Sequence, residues 1–178
     1  DGTRINPTKG TPQGGILSPL LSNIVLNELD WWVTSQWEEM PTHYEYKTRQ
    51  NAHGTDIKSH TYRALRRSRL KEMYIVRYAD DFKIFCRSRQ DAEKAFEATG
   101  LWLKDRLGLE ISPEKSKVIN LKQRYSEFLG FKMKVCPKGK KYVVCSHMSD
   151  KAIKQAKGKI SAAIRAIQNP ADDRAQYI

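Results

Sequence analysis

Met73-Tyr74-Ile75-Val76-Arg77-Tyr78-Ala79-Asp80-Asp81-Phe82-Lys83-Ile84-Phe85-Cys86 is the stretch on which the reading of this chain turns. Both ends are β-branched and aromatic, and Ala79-Asp80-Asp81 lies between them. Two strand-like runs joined by a short polar link predict an antiparallel hairpin with an acidic turn at its tip. Carboxylates between apolar strands are costly unless they are exposed or compensated. A hairpin tip can aim a carboxylate at Mg²⁺, a hard cation that takes oxygen ligands and commonly bridges to substrate phosphates. Successive strand side chains point to opposite faces, so Asp80 and Asp81 are not expected to be equal ligands. A further carboxylate has to come from another strand. For the dipeptide alone, a solvated Asp-Asp turn is the competing reading.

Outward from the hairpin, the chain alternates helices and strands. Residues 1–15 are rich in Gly, Pro and Thr and read as an exposed loop. Ser18-Pro19 reads as an N-cap and first-turn proline. The apolar positions Leu20, Leu21, Ile24, Val25, Leu29 and Trp32 then predict a helix running toward Met40 and ended by Pro41. Thr42 to His60 loses the apolar period and reads as a loop or small insertion. Arg63, Arg66, Arg67, Arg69 and Lys71 form a basic run, either a solvated face or a contact for a phosphate backbone. Gln90 to Leu107 is a predicted helix with Gly108 at its C-terminal cap. Residues 117–121 and 126–135 read as strands, and Tyr142 to Cys145 as a short strand after the turn at Pro137 to Lys140. Ser149 or Asp150 caps a last helix that ends at Asn169-Pro170. The expected class is α+β, an antiparallel sheet backed by helices, with a trailing helix.

Composition narrows the function classes. With 32 Lys and Arg against 20 Asp and Glu, the 178-residue chain carries a formal charge of +12. A surplus of this size favours a nucleic-acid partner, because clustered cations release counterions from phosphates. A basic surface that only aids solubility is the alternative. No apolar run approaches the roughly 20 residues needed to cross a bilayer, so no membrane role is expected. Three cysteines without repeated spacing suit a reducing compartment, a bacterial-type cytosol or an organelle matrix. Cys136, Cys145 and His147 are close in sequence but lack paired C-x-x-C spacing, so the cysteines read as partly buried strand residues rather than part of a metal site.

Four blocks, in order, carry a family resemblance. Tyr78-Ala79-Asp80-Asp81 resembles the Y-A-D-D signature of reverse transcriptases. Gly10-Thr11-Pro12-Gln13-Gly14-Gly15, continuing through Ser18-Pro19-Leu20-Leu21 to Asn23-Ile24, is similar to a block of group II intron reverse transcriptases. Gly108 to Lys117 and Phe128-Leu129-Gly130-Phe131 resemble the family's next two blocks. Retron enzymes and diversity-generating retroelements share the P-Q-G core but usually differ after it.

The resemblance implies a right-hand polymerase palm over residues 1–148 and the start of a thumb over 149–178. It implies an RNA-directed DNA polymerase using two Mg²⁺ ions, an RNA template, a DNA or RNA primer and deoxynucleoside triphosphates, together with intron-RNA binding as a maturase. Asp80 and Asp81 would be the metal-binding catalytic residues. Gln13, Gly14, Gly15 and Tyr78 would contact nucleotide or template. Lys115 would lie near the triphosphate, and Phe128, Leu129, Gly130 and Phe131 would grip the primer. Packing roles compete at the glycines and phenylalanines, and a plain surface lysine competes at Lys115. The family's first palm block, with another catalytic aspartate, is not found; it and the fingers are expected upstream of residue 1. The chain by itself is therefore expected to be inactive. Trp31, Trp32 and Trp37 offer either core positions or a contact with further domains of the protein or a second copy in a homodimer.

Overall fold

The computed structural model describes residues 16–168. The described residues divide into two compact units that part between Val118 and Ile119.

The first unit is built on the predicted hairpin. Strands β3 (Met73–Tyr78) and β4 (Asp81–Cys86) pair antiparallel with Tyr78 opposite Asp81 and Met73 opposite Cys86. The linking loop is therefore only Ala79-Asp80. Ala79 has φ 52°, the left-handed region at the first loop position that a tight two-residue hairpin demands. Strand alternation puts Met73, Ile75, Phe82 and Ile84 on one face, and all four pack on the hydrophobic cluster of Leu26, Leu29, Val33 and Leu103.

Two helices supply that cluster. Helix α1 (Ser18–Gln36) packs against β3, and α3 (Arg89–Leu107) against β4. α3 follows its local signals: Ser88 Oγ accepts from the Asp91 amide at 3.1 Å, and Gly108 adopts the left-handed cap conformation with φ 62°. α1 departs from expectation in two respects. Its N-cap position is Leu17, so Ser18 and Pro19 are the first two helical residues. Of its expected apolar stripe only Leu29 is fully buried, whereas Leu20, Leu21, Ile24 and Val25 are exposed; the buried positions beside Leu29 are Leu26 and Val33, outside that stripe. Trp37 is fully buried against Tyr62 and Tyr74, Trp32 stacks on Trp102 with ring centroids 5.3 Å apart, and Trp31 is exposed.

The segment read as a loop holds more structure. A small ladder joins β1 (Arg49–Gln50) to β2 (Asp56–Ile57). Asn51 Oδ1 closes the turn between them, accepting from the His53 and Thr55 amides, each at 2.9 Å. Arg63, Arg66 and Arg67 lie on α2 (Ser59–Arg67), where Leu65 is the buried anchor.

The second unit is a three-stranded antiparallel sheet of β5 (Ser126–Phe128), β6 (Phe131–Lys138) and β7 (Lys141–Met148), followed by α4 (Asp150–Gln168). Residues 117–121 are not a strand; their tie to the sheet is the Val135 amide donating to the Leu121 carbonyl at 2.8 Å. Ser149 caps α4, its Oγ accepting from the Ala152 amide. The three cysteines are partly buried strand residues, as expected.

Candidate active site

Asp80 and Asp81 sit at the free tip of the hairpin, and both are exposed. They are inequivalent: Asp80 is in the loop, while Asp81 opens β4 opposite Tyr78. Asp81, Tyr78, Val76 and Lys83 share the hairpin face opposite the core residues. Tyr78 and Val76 are exposed on it. Burial lowers the pKa of the Lys83 ammonium, and the Asp81 carboxylate partly opposes that shift.

Arg77, one residue before Tyr78, faces the other way. Its guanidinium donates to both Asp30 carboxylate oxygens, to Asn23 Oδ1 and to the Ala79 carbonyl, over distances of 2.6–3.0 Å. The Asp30 contact raises the Arg77 pKa above its already high value, against the opposing effect of burial. Asn23, Leu26, Asp30 and Val33 are spaced at three and four residues, so one face of α1 carries both polar partners and the buried anchors. The sequence reading missed this residue. The available signals were a lone Arg in an apolar strand beside the acidic turn, and two polar residues one heptad apart within a helix.

The other candidates are placed as follows. Lys115 lies in a turn after Ser112, where its amide donates to the Ser112 carbonyl at 3.3 Å and its side chain is exposed. In the second unit, Phe128 and Phe131 face each other across a tight turn whose Leu129 and Gly130 have φ 50° and 78°. Gly is the residue suited to the second of these positions. The Gly130 carbonyl accepts from the Ser149 amide at 2.7 Å, tying the turn to the start of α4. Lys132, beside it on β6, pairs with Asp150. Gln13, Gly14 and Gly15 fall outside the described residues.

A cavity of about 430 Å³ among the described residues lies elsewhere: Arg66, Glu72, Tyr74, Phe85, Cys86 and Arg87 line it at the opposite end of the hairpin. An open acidic tip suits a site that acts on an extended polymer better than an enclosed pocket does. Among the described residues, no three His, Cys, Asp or Glu side chains gather as a metal cage. Two adjacent exposed carboxylates are nevertheless the kind of set Mg²⁺ uses, since it takes one or two carboxylates and fills its octahedron with water and substrate phosphates.

Residues 1–133 match the family model described as reverse transcriptase (RNA-dependent DNA polymerase). The chain belongs to that family. It is 35% identical over 159 residues to the group II intron-encoded protein LtrA of Lactococcus lactis subsp. cremoris, covering 71% of this chain and 26% of that protein. It is 32% identical over 154 residues to the COX1/OXI3 intron 2 protein of Saccharomyces cerevisiae, covering 74% of this chain and 18% of that protein. Protein YkfC of Escherichia coli is 28% identical over 132 residues, with 71% of this chain and 32% of that protein covered. The chain thus spans about a third or less of the length of these curated relatives. Reverse transcriptases work with divalent metal ions.

Proposed function

We propose that this chain is the palm and thumb start of a group II intron-type reverse transcriptase, and that Asp80 and Asp81 hold its catalytic Mg²⁺ ions. The observation that carries the reading is the exposed Asp80-Asp81 pair at the tip of a hairpin whose other face is locked onto a helical core. Asp80 and Asp81 would hold the metal ions, which when bound would supply activation of the primer 3′-hydroxyl and neutralisation of charge on the phosphoryl group. The chain's own contribution is to fix two inequivalent carboxylates and to keep the outer hairpin face open to a nucleic-acid duplex. Contact with nucleotide or template is assigned to Tyr78, and its exposure beside Asp81 on that face supports the assignment.

The remaining roles follow the family blocks. Gln13, Gly14 and Gly15 contact the nascent base pair, Lys115 lies near the triphosphate, and Phe128-Leu129-Gly130-Phe131 grips the primer. The tight turn and its tie to Ser149 support the last assignment, because a rigid turn holds a strand better than a loose one. Residues 1–148 are assigned to the palm and 149–178 to the thumb. The partners are an RNA template, a DNA or RNA primer and deoxynucleoside triphosphates. Intron RNA is a further partner, supported by the +12 charge and by likeness to a group II intron-encoded protein. Among the described residues no helix is long and apolar enough to cross a membrane. The reading places the work in a cytosol or organelle matrix.

Primer extension on an RNA template, by the full-length protein with Mg²⁺ and deoxynucleotides, tests the reading. Extension that disappears with Asp80→Ala supports it. Equal extension by Asp80→Ala would refute the metal assignment.

A further inference from the structure

We infer that Arg77 is the positioning residue for Asp80, acting from the core side of the hairpin through the Ala79–Asp80 peptide group. This rests on the reading of Asp80 as a metal ligand. The guanidinium is held at one end by α1: Nη2 donates to Asp30 Oδ2 at 2.6 Å, Nε is shared between both Asp30 oxygens, and Nη1 donates to Asn23 Oδ1 at 2.9 Å. The same Nη1 donates to the Ala79 carbonyl at 2.8 Å. The Arg77 side chain is only 10% exposed.

The peptide unit is planar, so fixing the Ala79 carbonyl oxygen fixes the plane that also contains the Asp80 amide and Cα. That plane is the one the loop has least reason to hold unaided, because Ala79 is an L-residue at φ 52°. A planar guanidinium can bind a carboxylate, an amide oxygen and a carbonyl at once in fixed directions; an ammonium on a flexible stem cannot reproduce the fork. Asp30 has a second effect. It neutralises the guanidinium charge, so that a rigid donor can sit beneath a cation site without repelling the cation. The helix that seats the hairpin therefore also aims its tip, over sequence separations of 47 and 54 residues.

The test uses the full-length protein and two readouts. One is single-turnover primer extension, separating the maximal rate from the deoxynucleotide KM. The other is Mn²⁺ binding followed by electron paramagnetic resonance, counting the site that Asp80→Ala removes. Arg77→Lys is expected to lower the maximal rate by about 100-fold, the scale of a 1 Å misplacement of a reacting group. The deoxynucleotide KM should change little, and the Asp80-dependent Mn²⁺ site should weaken. Asn23→Ala removes one anchor without disturbing the Arg77–Asp30 pair and is expected to give a smaller loss of the same kind. It decides the matter if the Arg77 variants fail to fold. Arg77→Lys or Asn23→Ala with wild-type rate and wild-type Mn²⁺ binding would overturn the inference while leaving the polymerase reading intact. A wild-type protein with neither extension nor an Asp80-dependent Mn²⁺ site would overturn both.

Discussion

Ala79 is the residue where stability and function should part company. Its φ of 52° lies in the left-handed region, where an L-residue costs about 1–2 kcal/mol and glycine almost nothing. Ala79→Gly removes that cost but frees the unfolded chain, an offset of about 0.4–1 kcal/mol. The net expectation is a gain of about 0.5–1 kcal/mol. Ala79→Val adds a second Cβ branch at the same backbone angle, and a loss of roughly 1–3 kcal/mol is expected from strain that the turn cannot relieve. Equilibrium urea unfolding measures both, with an unchanged slope showing that the two states compared are the same. In primer extension by the full-length protein the order reverses for glycine: Ala79→Gly should be more stable and slower, because the peptide plane carrying Asp80 has gained freedom. A glycine variant destabilised by more than about 1 kcal/mol, or a neutral valine variant, would show that Ala79 carries no strain and would refute the reasoning.

Other outcomes follow from the core and from titration. Leu29 is fully buried between α1 and the hairpin, so Leu29→Ala should cost about 3–5 kcal/mol in urea unfolding; a cost below about 1 kcal/mol would mean that the hairpin is not seated on α1. Burial, with a smaller push from Asp91, raises the Cys86 thiol from 9.0 to about 11. The neutral thiol is the form the fold favours, so this contribution is complete below pH 9 and fades as the pH rises from 9 toward 11. Alkylation at pH 8 should accordingly be slower at Cys86 than for a free cysteine, by about 100-fold for two pH units; an equal rate would contradict the burial.

The parts of this fold legible in the sequence are those written locally. The hairpin at 73–86 shows in its β-branched and aromatic runs, and α3 in the Ser88 cap and Gly108 stop. α1 was legible as a helix but not as a packed one. Periodicity identifies an apolar stripe without saying what covers it, and Leu20, Leu21, Ile24 and Val25 are exposed despite their spacing. The face that does pack carries Asn23 and Asp30, which a search for apolar positions passes over. The ladder at 49–57 rests on one asparagine side chain, and α2 on a single buried leucine among arginines. Both are too weak to stand out from a polar loop. At the candidate site, residue identities pointed to Asp80 and Asp81. The Arg77 network required the fold itself, because its partners lie 47 and 54 residues away.

The most direct measurement of the central claim is primer extension on an RNA template by the full-length protein, compared with its Asp80→Ala variant at equal RNA binding. The account predicts Mg²⁺-dependent extension by the wild type and none by Asp80→Ala, with both proteins holding RNA equally. Extension that survives the substitution, or a folded, RNA-binding wild type that never extends a primer, would contradict it.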